Sequence, residues 1–145
     1  MSNKRILIVE DDPDVRHGMH IRLTANHYDT SFAADAVCCI SEAQKQKPDL
    51  IILDLGLPAG DGFVVMERLK GIPSLAEIPV VVVSARDVRA NRERAIKAGA
   101  RAYLQKPVDN AEFLAVIRQA LGEQAQPANP GAHDLGALWV GPHEE

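Results

Sequence analysis

A chain of 145 residues, with 46% hydrophobic and 25% charged residues, is the size of one domain with a single core. Its formal net charge of −4 supplies no bulk attraction for nucleic acid, and its apolar runs are strand-sized, far short of the roughly 20 residues of a membrane helix. Met-Ser-Asn-Lys-Arg leads straight into a strand with no signal-peptide pattern, so the expectation is a cytoplasmic protein with no direct nucleic-acid or membrane partner.

The chain alternates strand and helix five times. Ile6-Leu-Ile-Val9 is a continuous apolar run, the pattern of a strand buried on both faces. Asp12-Pro13 is a strong helix start, and that helix runs to about Asn26. A weaker strand from Tyr28 to Ala33 reads as a sheet edge. Asp35 opens a second helix, which ends before Pro48. Leu50–Leu53 is another buried strand, and Gly62 to Lys70 is a short helix with Phe63, Met66 and Leu69 inside.

Ile78-Pro-Val-Val-Val-Val83 is the next central strand. Asp87 caps a helix that Gly99 terminates, and Ala102–Leu104 is the last strand. The last helix begins at Asp109, with Glu112 three residues on as a capping box and Leu114, Ile117 and Leu121 on one face. Strand–helix alternation with short links implies a doubly wound α/β sandwich around a parallel sheet. From Gly122 onward prolines and glycines break any regular element, so the chain divides into a domain, 1–121, and a flexible tail, 122–145. Asp134 to Val140 within that tail is a segment that can dock weakly on this domain or a partner.

Cys38 and Cys39 are adjacent on a helix, a placement that disfavours a disulfide between them and lacks zinc spacing; they read as ordinary, partly buried thiols. His17 and His20, three apart on one helix, allow a metal pair but read better as a solvated helix face.

Polar residues follow four of the strands: Glu10-Asp11-Asp12, Asp54, Ser84 and Lys106. Ligands of open parallel sheets sit at the carboxyl ends of the strands, so these residues converge on one edge. Clustered carboxylates repel by several kcal/mol, at an effective dielectric near 20, unless a cation sits among them. Hard oxygen donors without thiols or imidazoles point to Mg²⁺. Asp12 is placed to cap the helix, which leaves Asp11 for direct coordination and Glu10 for contact through water.

Asp54 is either a plain metal ligand or a nucleophile that carries a phosphoryl group as an acyl phosphate. Such a transfer requires charge neutralisation, for which Lys106 is the available cation and Ser84 the hydroxyl. A cis Lys106–Pro107 bond would aim the lysine back at the site. Alone, Ser84 would read as a loop serine and Lys106 as a surface lysine. No Gly-x-x-x-x-Gly-Lys-Ser/Thr loop, dinucleotide cradle or serine–histidine–acid set is present in the sequence.

With these residues in place, the chain from about 4 to 121 resembles a response-regulator receiver domain of bacterial two-component signalling. The stretches that carry the resemblance are Ile6 to Arg16, Asp54-Leu-Gly-Leu-Pro-Ala-Gly-Asp-Gly62, Val82-Val-Ser-Ala-Arg-Asp87 and Gly99-Ala-Arg-Ala-Tyr-Leu-Gln-Lys-Pro107. The resemblance implies a flavodoxin-like, three-layer fold with five parallel strands in the order 2-1-3-4-5. It implies that Asp54 accepts a phosphoryl group from a sensor histidine kinase or histidine phosphotransfer protein. Asp11, Asp54 and the backbone carbonyl of Gly56 would bind Mg²⁺, with Glu10 reaching the ion through water, and Ser84 and Lys106 would hold the phosphate.

Tyr103 falls on the family's aromatic switch position; as a plain strand residue it would be half-buried at the sheet edge. By the resemblance, Ser84 moves towards the phosphate and Tyr103 fills the vacated space from outside. Such a domain assists only its own phosphorylation and dephosphorylation and is not otherwise an enzyme.

Three departures from the family pattern stand out. Ser84 replaces the frequent threonine, Val108 replaces a frequent phenylalanine, and Arg101-Ala102 replaces acids used in one style of dimer. Arg86, Arg89, Arg92, Arg94, Lys97 and Arg101 make the fourth helix and its flanks basic, as either a solvated face or a surface for an acidic partner. The expected role is a stand-alone phosphoacceptor module signalling by protein contact. The alternatives are a phosphorylation-independent scaffold and an aspartate-nucleophile phosphatase, and the latter lacks the usual second acid because position 56 is glycine.

Overall fold

The computed structural model describes residues 3–57 and 61–123. The expectations for the tail, including Asp134 to Val140, lie outside the described residues.

Five strands alternate with five helices: β1 (Arg5–Val9), α1 (Pro13–Ala25), β2 (Asp29–Ala33), α2 (Ala36–Gln46), β3 (Leu50–Leu53), α3 (Gly62–Lys70), β4 (Val80–Ser84), α4 (Val88–Lys97), β5 (Ala100–Gln105) and α5 (Asn110–Ala120). All strand pairs are parallel, in the order β2-β1-β3-β4-β5, as expected. β2 is an edge strand, also as expected.

The strands carry two cores because successive side chains point to opposite faces. Leu7, Val9, Ile51, Leu53, Val80 and Val82 face α2, α3 and α4, whereas Ile6, Ile8, Leu50, Ile52, Val81 and Val83 face α1 and α5. A strand buried on both sides cannot afford a polar residue before its end. Past the exposed Arg5, β1 and β3 are apolar to their ends, and the acids Glu10 and Asp54 come immediately after.

Each helix starts on an aspartate whose carboxylate accepts backbone N–H groups. Asp12 takes Asp14 and Val15, Asp35 takes Cys38, Asp61 takes Phe63, Asp87 takes Ala90 and Asp109 takes Glu112. Such caps are each worth about 1 kcal/mol, and they also fix where the loops beside the sheet's carboxyl edge end.

Several boundaries differ from expectation. β4 begins at Val80, not Ile78, because Pro79 has no N–H to donate to a ladder; its carbonyl still accepts from Ile51 at 2.9 Å. β4 also takes in Ser84, and β5 extends to Ala100 and Gln105. Leu121 caps α5 instead of lying within it. Cys38 is exposed and Cys39 buried, both as free thiols. His20 is not part of a simply solvated face: it is half-buried, its Nδ1 lies 2.7 Å from Thr30 Oγ1, and its ring stacks 6.0 Å from that of His17.

Candidate phosphoacceptor site

Backbone bonds set Glu10, Asp54 and Lys106 one step beyond their strands. The N–H of Glu10 donates to Ala33 at 3.0 Å, that of Asp54 to Val9 at 3.1 Å, and that of Lys106 to Ser84 at 2.8 Å. The ladder therefore continues just far enough to lock the backbone while the side chains leave the sheet. One carboxylate oxygen from each of Glu10, Asp11 and Asp54 falls in a cluster whose members lie within 4.8 Å of one another.

Burial divides the cluster. Glu10 is 1% exposed and Asp54 7%, while Asp11 is open to solvent. Asp12 points elsewhere, its Oδ1 2.9 Å from the N–H of Asp14, so it serves the helix as expected. Three hard oxygen donors, one of them solvent-facing, suit an ion that keeps much of its water, which is the preference of Mg²⁺.

Lys106 enters this cluster from β5. Its Nζ lies 2.6 Å from Glu10 Oε1 and 3.4 Å from Asp54 Oδ2, and the Lys106–Pro107 bond is cis. Burial opposes the lysine's charge, yet the hydrogen bond it donates to Glu10 and the charges of Asp54 and Glu10 together hold its pKa above the ordinary value. For Glu10 the balance reverses. Burial raises its pKa and outweighs the pull of Lys106 and of the N–H of Asp12, 3.2 Å from Oε2.

Asp54 Oδ1 accepts the N–H of Gly56 at 3.2 Å, which orients the carboxylate. A Cβ on Gly56 would stand 4.0 Å from that oxygen, so glycine leaves the approach open. Gly62 has a different role. A Cβ there would meet Leu55 Cα at 2.7 Å and the Asp54 carbonyl at 2.9 Å, so α3 reaches the loop that begins at Asp54 only with glycine at its first position.

Ser84 is buried at the end of β4, its Oγ accepting the N–H of Arg86 at 3.2 Å. Tyr103 pairs in register with Val82 and so lies on the same face of the sheet as Ser84. It is wholly buried, not half-buried, because α4 covers that face, and its hydroxyl donates to the Arg86 carbonyl at 2.9 Å. Burial raises its pKa, against the pull of Ser84 and Arg86. The ring is already inside, so the expected entry from outside is not needed to reach this state.

The sequence reading missed two relationships. Glu10 pairs with Lys106 across 96 positions, and Arg86 joins three elements by its N–H to Ser84, its carbonyl to Tyr103 and its guanidinium to Asp61 at 3.5 Å. No local signal marks either one.

The family model for the response regulator receiver domain matches residues 6–118. The chain is 38% identical over 115 residues to response regulator PleD of Caulobacter vibrioides, covering 79% of this chain and 25% of that protein. It is 39% identical over 117 residues to the DNA-binding dual master transcriptional regulator RpaA of Synechocystis, covering 81% and 48%. The chain thus spans about a quarter to a half of the length of these relatives.

Among solved structures, a response regulator from Chloroflexus aurantiacus superimposes with a TM-score of 0.79 at 28% identity, covering 84% of this chain and all of that one. The receiver domain of sensor histidine kinase PA1611 from Pseudomonas aeruginosa, which holds a magnesium ion in its active-site cleft, gives 0.77 at 26% identity, with 84% of this chain and all of that one covered. With the family's model covering most of the chain and the doubly wound sheet in the matching order, this protein belongs to the response-regulator receiver domain family.

Proposed function

We propose that this domain is a phosphoacceptor: Asp54 takes a phosphoryl group from a sensor histidine kinase or a histidine phosphotransfer protein, and the domain then signals by protein contact in a phosphorelay. The observation that supports this most is Asp54 itself. It is a nearly buried carboxylate with a lysine ammonium 3.4 Å away, a backbone N–H on its other oxygen and open space at Gly56.

A carboxylate oxygen of Asp54 attacks phosphorus as the bond from phosphorus to the donor's imidazole nitrogen breaks, and the electron pair stays on the imidazole. Lys106 neutralises charge on the transferred group and Ser84 donates its hydroxyl to a phosphoryl oxygen. Asp11, Asp54 and Gly56, with Glu10 through water, would hold Mg²⁺, which supplies further charge neutralisation at the phosphoryl group.

The product carries about two negative charges at Asp54. Rotation of Ser84 towards them releases its bond to the Arg86 N–H and leaves Tyr103 to hold the Arg86 carbonyl. Partners that prefer this arrangement shift the population by their differential affinity alone. Residues 1–121 form the receiver unit in this reading and 122–145 a tail, and the domain turns over no substrate besides its own acyl phosphate. Among the described residues no helix is long and apolar enough to cross a membrane, which suits a domain that meets its donor in the cytoplasm.

Intact-mass spectrometry after incubation with acetyl phosphate tests the proposal. A gain of one phosphoryl group that requires Mg²⁺ and is lost in Asp54→Asn is the expected result. No gain despite Mg²⁺ binding would favour a phosphorylation-independent scaffold, and steady phosphate release from unrelated monoesters would favour a phosphatase.

A further inference from the structure

Positive charge is concentrated on one part of this surface. Segment 86–101 holds Arg86, Arg89, Arg92, Arg94, Lys97 and Arg101 against Asp87 and Glu93, in a chain whose net charge is −4. A solvated face would account for the charge but not for the groove beside it. Between α3 and α4 lies a depression of about 370 Å³ lined by Phe63, Val64, Glu67, Lys70, Arg94 and Lys97.

Its floor is apolar. Val64 is 44% exposed, and the guanidinium of Arg94 stands 3.9 Å above the Phe63 ring. An arginine stacked on an aromatic face has lost much of its rotamer freedom and presents a planar fork matched to carboxylates. Lys97 forms an exposed pair with Glu93 at 3.6 Å, an arrangement that contributes little and is readily exchanged. Lys70 reaches across to donate to Ala76 at 3.2 Å, and its side chain occupies the space where a Cβ on Gly99 would be. Three cations thus ring an apolar floor, with Glu67 the acid among the lining residues.

We propose that the α3–α4 groove binds an acidic amphipathic segment of a partner protein. Apolar side chains of that segment lie over Val64 and the edge of Phe63, and its carboxylates meet Arg94, Lys97 and Lys70. The surplus of cations over acids at the rim selects acidic sequence. The apolar floor selects amphipathic sequence, which polyanions such as DNA or a lipid headgroup layer do not supply. The surface is separate from the phosphoacceptor site, and the proposal does not depend on how Asp54 functions.

The test is fluorescence anisotropy with a labelled synthetic peptide whose leucines recur at helical spacing among glutamates, beside a scrambled peptide of the same composition. The expected result is preference for the amphipathic peptide, weakened about tenfold by Arg94→Glu, a loss equal to about 1.4 kcal/mol. Val64→Asp should weaken binding comparably, whereas Asp54→Asn should leave it unchanged. Thermal unfolding and phosphoryl uptake from acetyl phosphate establish that the groove variants are folded. The proposal is overturned by absent binding, by equal binding of the two peptides, by binding indifferent to Arg94→Glu and Val64→Asp, or by binding of duplex DNA or phosphatidylserine vesicles in place of the peptide.

Discussion

The Nζ of Lys106 lies 2.6 Å from Oε1 of Glu10, nearer than its 3.4 Å to Asp54, so the lysine's closest partner is the acid that follows β1. Loss of the lysine leaves a carboxylate that is 1% exposed without its counter-charge. Lys106→Met is expected to cost about 2–3 kcal/mol, less than for a fully buried pair because the ammonium keeps some contact with solvent. The pKa of Glu10 is already raised by burial and rises further in the variant. The native state then binds a proton that the unfolded chain releases, so the deficit shrinks as pH falls from about 7.5 to about 5. Urea unfolding at the two pH values measures it.

Carboxylates of Glu10, Asp11 and Asp54 lie within 4.8 Å of one another, so the native state should bind Mg²⁺ more tightly than the unfolded chain. Saturating Mg²⁺ should therefore raise stability, by about 2.7 kcal/mol at a hundredfold excess over Kd. Asp11→Asn should remove most of that gain while leaving the metal-free stability equal or slightly higher, because it also removes a like charge. Thermal unfolding with and without the ion distinguishes these outcomes.

Glycines 56 and 62 predict opposite results for the same substitution. Gly62→Ala drives a methyl against the backbone of Leu55 and Asp54, at 2.7 and 2.9 Å, where no flexible side chain can yield. A loss of about 1–3 kcal/mol and slower phosphoryl uptake are expected. Gly56→Ala, with its methyl 4.0 Å from Asp54 Oδ1, should fold normally and lengthen the lifetime of the phosphoryl group by narrowing the path for water. Denaturation curves and a dephosphorylation time course provide the comparison.

Tyr28 is a separate check on the base side. Its hydroxyl donates to Glu123 at 2.7 Å, and burial, then that carboxylate, push its pKa from 10.0 to about 12. The native state keeps a proton that the unfolded chain loses, so this stabilisation is complete below the unfolded value of 10.0 and disappears as pH climbs towards about 12. Tyr28→Phe should lose about 1 kcal/mol at neutral pH and show a shallower decline in that alkaline window. Urea midpoints across the range test both.

Much of this was legible in the sequence because the signals are local. Continuous valine, isoleucine and leucine runs mark strands buried on both faces, and aspartates mark where the helices start. The candidate site was legible as a set of strand-end residues, since a parallel sheet sends its carboxyl ends to one edge. The partner of Glu10 was not legible, because pairing over 96 positions depends on which strands become neighbours. Nor was the depth of Tyr103. β5 lies at the sheet edge, but α4 folds over the face from which its ring projects.

The strand order also has a consequence in time. Glu10, Asp11 and Asp54 all belong to the first 54 residues of the chain, and Lys106 is the last of the site residues to be synthesised. As the chain leaves the ribosome, three acids can come together on β1 and β3 well before the lysine that faces them exists. Until β5 joins the sheet, that half-built edge repels itself. Closure by the final strand sets one ammonium against three carboxylates and eases that repulsion, so this edge is complete only once the whole sheet has been assembled.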